Sequence, residues 1–188
     1  MARPLSEEKR QALIQTAIDL IAEQGLSAST ANIAKQAGVA SGTLFTYFDS
    51  KEALFNQVYL AIKNDIAAAV LNDAVHNDWQ TQMQHWWNAY IAWGIRHPRE
   101  RAAVRQLESS PILAQETRQQ VREAFIPMWQ MLAEAERLGR FYLPLDLTVL
   151  MMENMMETTI QYLTHETQAS ARYQQIGFEM MWRAVVKA

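Results

Sequence analysis

Residues 30–54 read TANIAKQAGVASGTLFTYFDSKEAL, and the fold is decided there. Thr30 can cap a helix in which Ile33, Ala34 and Ala37 recur three or four residues apart, on one face. Gly38 tolerates the positive φ that a sharp turn needs. Val39 fills the corner, and Ser41 can cap a second short helix whose apolar and aromatic set is Leu44, Phe45, Tyr47 and Phe48. A small Ala34 four residues before the glycine and an apolar Leu44 six after it suit two helices that cross steeply with their backbones close. That is the pattern of a helix-turn-helix, whose second helix enters the DNA major groove. An ordinary αα-corner uses the same residue types and is the competing interpretation.

Outward from this stretch the chain is helical throughout. Ser6 followed by Glu7 and Glu8 starts a first helix, with acids at the positive end of its dipole. Leu13, Ile14, Ala17, Ile18, Leu20 and Ile21 give it an apolar stripe, and Gly25 ends it. Asp49 or Ser50 caps a long fourth helix from Lys51 to about Leu71, with Leu54, Phe55, Val58, Ile62 and Ile66 on one face. Further helices are expected over Trp79–His97, Arg99–Gln106 and Ile112–Leu138, the last kinked at Pro127. Asp146–His165 and Ala169 to the C-terminus complete a set of about nine. No run of alternating apolar and polar residues is long enough for a sheet, so the predicted class is all-α. The predicted architecture is an N-terminal three-helix head, residues 1–52, joined by the fourth helix to a helical body, residues 53–188.

The 188 residues are 49% hydrophobic and 20% charged, ordinary for a globular chain. No stretch approaches 18 uninterrupted apolar residues and no basic segment leads into an apolar one, so no membrane partner and a cytoplasmic site are expected. With no cysteine, disulfides and thiolate chemistry are excluded. Net charge is −3, and the first 52 residues hold five Lys/Arg against six Asp/Glu. A DNA-binding head of this composition must hold phosphates largely through hydroxyls, backbone N–H groups and helix ends.

Gly42, Thr43, Leu44 and Phe45, then Tyr47-Phe48 and Lys51-Glu52, closely resemble the signature of TetR-family transcriptional regulators. The resemblance covers about residues 7–60; the rest agrees in architecture only. It implies a homodimeric, ligand-responsive repressor that leaves a palindromic double-stranded DNA operator when a small molecule binds the body. It also implies that Tyr47 donates its hydroxyl to phosphate and that Lys51 holds phosphate at the start of the fourth helix.

The residues themselves support a set of DNA-contact candidates. Ser41, Gly42 and Thr43 lie at the start of the recognition helix, where base edges are read, with Ser41 equally suited to capping. Thr46 and Tyr47 lie farther along, and Ser29 and Thr30 open the preceding helix. No arginine stands in the recognition helix, so the commonest guanine contact is missing there. Arg3, in the N-terminal arm Met1–Leu5, either reaches the DNA backbone or frays in solvent.

Nine of ten methionines and all six tryptophans follow residue 78. At helical spacing these residues fill a core; a subset also suits a pocket for aromatic or amphipathic effectors. The pocket candidates are Trp86, Tyr90, Met155, Thr158, Thr159 and Tyr162, with Glu153 or Glu157 placed to neutralise a cationic compound. Ser170, Gly177 and Ala184, seven apart, permit close helix approach; with Met151, Tyr173 and Met180 they are the expected dimer contacts, unless both final helices only close the monomer core.

An enzyme is not expected. His76, His85, His97 and His165 stand far apart, and P-loop, GxGxxG and GxSxG motifs are absent. Glu153 and Glu157 have the spacing of a carboxylate metal helix, but no second helix carries Glu-x-x-His, so no metal or cofactor is assigned. The alternatives to a regulator are a helical protein-interaction module and, behind it, a carboxylate metal enzyme.

Overall fold

The computed structural model describes residues 6–72, 78–165 and 170–187; the arm with Arg3, His76 and Ala169 lie outside them. The order of elements is α1 Glu7–Gln24, a 3-10 turn Gly25–Ser27, α2 Thr30–Gln36, α3 Ser41–Tyr47, α4 Lys51–Val70 and α5 Trp79–Arg96. It continues with α6 Pro98–Glu108, α7 Gln115–Ala124, α8 Ile126–Arg137, α9 Leu145–His165 and α10 Ser170–Val185. The all-α class is as expected, and among the described residues the β pairing is an isolated bridge, Phe141 to Val186. Among the described residues there are ten helices rather than about nine, because the helix expected over Ile112–Leu138 is two. Ala124 ends α7, Phe125 leaves helical geometry, and Pro127 enters the first turn of α8, where its missing N–H costs nothing.

The chain forms two compact units: residues up to 65 with 97–124, and residues 66–96 with 125–188. The first is therefore larger than residues 1–52, because α6 packs along α1. All six residues of the α1 stripe are buried, with Leu13, Ala17 and Ile21 fully so. Ser6 caps α1 by accepting the Lys9 N–H, and Gly25 closes it at φ 62°. Arg99 of α6 reaches Asp19 at 2.9 Å and Glu23 at 3.4 Å; these carboxylates raise its pKa, the Asp19 hydrogen bond most. Along α4, Leu54, Phe55 and Val58 are fully buried and Ile62 and Ile66 nearly so. The same helix sends three polar side chains toward the α6–α7 segment. Asn56 donates to the Ile112 carbonyl at 3.0 Å and accepts the Ala114 N–H at 2.8 Å. Tyr59 donates to Glu108 at 3.2 Å, and Lys63 pairs with Glu108 at 2.6 Å.

In the second unit α5, α9 and α10 pack on one another and α8 packs on α9. Trp87, Ile91, Met152, Ile160, Leu163, Phe178, Met181 and Val185 form the core. Trp87 satisfies its indole N–H on the Gln174 carbonyl at 3.1 Å and meets Phe178 edge to face. Two glycines set the helix approach. A Cβ on Gly94 would fall 2.5 Å from Ile160 Cδ1, and one on Gly177 2.9 Å from both Thr159 Oγ1 and Trp87 Cζ2. No helix among the described residues is long and apolar enough to cross a membrane.

Candidate nucleic-acid interface

The turn between α2 and α3 is built as the sequence requires. Gly38 takes φ 70°, its N–H bonds the Lys35 carbonyl, and the Val39 N–H bonds back to Ala34 at 2.9 Å. Ile33, Ala34 and Leu44 are fully buried at the crossing. Two caps fall one residue before their expected places. Ser29, not Thr30, caps α2 by accepting the Asn32 N–H at 3.2 Å, and Thr30 is its first helical residue. Ala40 occupies the cap position of α3 with no side-chain bond, so Ser41 is a helical residue with an exposed side chain rather than a cap. Of the two caps considered for α4, Ser50 receives the Ala53 N–H at 3.0 Å.

Leu44 within α3 and Phe48, which ends the helix in extended geometry, are both buried. The opposite face is Ser41, Gly42, Phe45 and Thr46, all exposed; Thr43 and Tyr47 are half-buried at its margins. Ser29 is exposed and Thr30 half-buried at the start of α2. Phe45 departs from expectation: placed with the core by its apolar character, it is 51% exposed. The signal was present in the sequence, since an inward Leu44–Phe48 pair leaves residue 45 one step round the helix, in register with Ser41.

Two of the phosphate candidates have partners within the head. The Tyr47 hydroxyl accepts the Ser6 N–H at 3.1 Å, joining the end of α3 to the start of α1 and leaving its own proton to donate. Lys51 Nζ donates to the Leu26 carbonyl at 2.7 Å and lies 5.2 Å from the Phe55 ring centroid. Of its three N–H bonds, two stay available. Beside it, Glu52 has its carboxyl held below the usual range by backbone hydrogen bonding first and the Ser50 hydroxyl second. Arg10 donates to Gln57 at 2.6 Å and stacks over Phe48, so it braces α1 against α3 and α4. Within α3 itself no side chain is charged.

Other candidate residues fall into two groups. Trp86, Tyr90 and Met155 are half-buried against the core of the second unit, and Tyr90 donates to Glu157 at 3.1 Å. Thr159 bonds the Met155 carbonyl and faces Gly177, whereas Thr158 and Tyr162 are exposed. Of the dimer candidates, Ser170, Tyr173, Met180 and Ala184 are exposed, Met151 is half-buried, and Gly177 is occupied by contacts within the unit. A cleft of about 560 Å³ opens in the first unit between Arg10, Phe48, Glu52 and Thr117, and none of the effector candidates lines it. Among the described residues no group of three His, Asp or Glu side chains could hold a metal ion.

Comparison with known proteins agrees with this geometry. The sequence profile of the bacterial regulatory proteins of the tetR family matches residues 13–58, which contain the whole helix-turn-helix. Over 47 residues the chain is 49% identical to the uncharacterized HTH-type transcriptional regulator YvdT of Bacillus subtilis, covering 24% of each protein. Over 59 residues it is 39% identical to the HTH-type transcriptional repressor KstR2 of Rhodococcus jostii, covering 31% of this chain and 29% of that one. The match thus spans 24–29% of these curated relatives' own length. In fold the likeness is nearly complete. A Shewanella sp. PV-4 crystal structure described as of the tetR family of transcription regulators superimposes with TM-score 0.84 at 27% identity, covering 96% of this chain and 99% of that one. A TetR family regulator from Marinobacter aquaeolei VT8 gives 0.81 at 20% identity, covering 97% of each chain. The sequence match thus gives residues 13–58 the helix-turn-helix of the tetR family of bacterial regulatory proteins, and the likeness in fold to regulators described as of that family runs through α10.

Proposed function

We propose that the protein is a sequence-specific, DNA-binding transcriptional repressor that acts as a homodimer on a palindromic operator and is released by a small hydrophobic or aromatic effector. The observation that carries DNA binding is the outward face of α3: Ser41, Gly42, Phe45 and Thr46 stand exposed on a short helix held from behind by Leu44 and Phe48. The name of the Rhodococcus relative, a repressor, supports the direction of regulation. DNA reading is assigned to residues 1–52, with Ser29, Thr30, Thr43, Tyr47 and Lys51 as backbone and margin contacts. Effector binding and dimerisation are assigned to residues 53–188. Work on chromosomal DNA places the protein in the cytoplasm.

Support for a homodimer comes from α9 and α10. Leu147, Leu150 and Tyr162 on α9, and Tyr173, Ile176 and Met180 on α10, are 37–60% exposed. Their spacing puts each set on one helical face, which suits a helical-bundle interface between copies. Two recognition helices would then address half-sites about 34–36 Å apart, or a multiple of that. Support for effector control comes from α4, which contributes residues to both compact units. An effector that binds one conformation of the body more tightly shifts the population toward it, and the heads follow. Trp86, Tyr90 and Met155, half-buried beside Glu157, are the best-placed contacts for an aromatic or cationic-amphipathic compound.

The test is selection of bound fragments from genomic DNA with the full chain, followed by mobility shift and by tryptophan quenching with a ligand panel. Retention of a palindromic site and its release by a quenching ligand are expected. Failure to retain any DNA at low salt would instead favour a helical protein-interaction module.

A further inference from the structure

We infer that operator recognition here depends on thymine 5-methyl groups, with Phe45 as the side chain that reads them. This rests on the DNA-binding function proposed above and names the chemistry of the same face.

Base edges are distinguished in the major groove by donor–acceptor pairs and by the thymine methyl. The paired readouts need side chains with two polar atoms in fixed geometry: Arg or Lys for guanine, Asn or Gln for adenine, Glu or Asp for cytosine. α3 reads Ser-Gly-Thr-Leu-Phe-Thr-Tyr and contains none of these. Its polar atoms are hydroxyls. Ser and Thr hydroxyls bond to several bases and discriminate weakly. The Tyr47 hydroxyl already takes the Ser6 N–H at the margin of the helix. What remains on the outward face is an aromatic ring.

A single exposed hydrophobic residue needs no explanation by itself. Phe45 gains weight from where it stands. It is 51% exposed, stacks on no other ring among the described residues, and lies one step round the helix from the buried Leu44, in the exposed set with Ser41, Gly42 and Thr46. Phenylalanine has no atom with which to hydrogen-bond a base edge or a phosphate. Apolar contact is the one attractive interaction it can offer the groove, and the thymine methyl is the one apolar group the groove presents. Gly42, beside it and without a side chain, lets the helix backbone come close on that side.

The experiment uses the full-length protein. Bound sites are selected from random duplex DNA, and affinity for the selected site is measured by fluorescence anisotropy at fixed salt. Each thymine of a half-site is then replaced by uracil, which keeps every hydrogen bond and removes the methyl. At one or two positions per half-site the wild-type protein is expected to lose about fourfold, the effect of one buried methyl. Phe45→Ala is expected to bind the thymine and uracil sites equally, and Phe45→Leu to retain part of the difference. Equal wild-type affinity for thymine and uracil at every position overturns the inference, as does a selected half-site without thymine. Persistence of the difference in Phe45→Ala overturns the role of Phe45. Failure to retain any duplex at low salt overturns the DNA-binding function itself, and this inference with it.

Discussion

Lys51 has two claims on its ammonium. One is structural: its bond to the Leu26 carbonyl fixes the start of α4 against the 3-10 turn that follows α1. The other is phosphate binding through the two remaining N–H bonds. Lys51→Ala separates them. Loss of the carbonyl contact is expected to lower unfolding free energy by about 1–2 kcal/mol in urea titration. Loss of one phosphate contact flattens the plot of log affinity against log salt by about one unit. A destabilised variant with an unchanged slope would leave Lys51 as a structural residue only. Asn56 makes a sharper case because it is 8% exposed and uses both ends of its amide. Its Nδ2 serves the Glu52 and Ile112 carbonyls and its Oδ1 takes the Ala114 N–H. Asn56→Leu keeps the branched shape but strands those groups, so a loss of about 2–3 kcal/mol is expected in the same assay. None of this was legible in the sequence, since the partners of Asn56 lie 56 and 58 positions away and asparagine carries no periodic signal. The α1 stripe was legible in full, because six apolar residues at helical spacing leave one way to bury them. Caps were legible only to within a residue. Ser29 and Thr30 both carry the hydroxyl a cap needs, and the choice depends on backbone angles the sequence does not display.

At the scale of elements, glycines and termini decide how helices meet. The Gly94 Cα stands so close to Ile160 that any side chain there must displace its Cδ1. Gly94→Ala gains helix propensity but is expected to cost a net 1–3 kcal/mol, roughly the effect of overpacking a core. Ile160→Val removes the obstructing methyl at a cost of about 0.5–1.5 kcal/mol by itself. The double variant should therefore be more stable than the sum of the two losses predicts. Simple additivity in thermal unfolding would rule out this contact as the cause. The start of α5 offers a pH test. Asp78 accepts the Thr81 hydroxyl at 2.6 Å and its N–H at 2.7 Å, and these bonds, the hydroxyl first, hold its carboxyl below its usual pKa. A lowered folded-state pKa means the contribution is present above the unfolded value and fades as pH falls through the folded one. The difference in Tm between wild type and Asp78→Ala should thus be largest near neutrality and shrink below pH about 4. Pro127 shows the limit of reading an element from sequence. Its missing donor announced an interruption, yet kink and full break share that cause, and the turn at Phe125 depends on what packs there.

For the whole molecule, the residues left unburied carry the most information. Folding of the second unit hides Trp87, Ile160 and Phe178 while leaving Leu150 at 54%, Tyr162 at 50% and Met180 at 60% exposed. Sequence periodicity separates apolar from polar faces but does not say whether an apolar face is covered by the same chain. Gly177 meets Trp87 and Thr159 within the unit, while Leu147, Leu150 and Ile176 stand exposed as Met180 does. Two operator half-sites read by one protein require two heads at fixed separation, so the proposed function stands or falls with association. A stable interface buries about 1,600 Å² in total, and six large apolar residues per copy suit its centre, with neighbouring residues of α9 and α10 making up the rest. A carboxylate in its middle would be desolvated without a partner. Leu150→Glu and Met180→Glu are exposed substitutions, so helix content and the unfolding midpoint of the monomer should change little. In sedimentation velocity each is expected to shift the protein from dimer to monomer at micromolar concentration. Operator affinity should fall in parallel, since each head then binds its half-site without the effective concentration its twin provided. Dimers that persist in both variants would move the interface off α9 and α10. Monomers that bind the operator as tightly as wild type would remove the need for a palindrome.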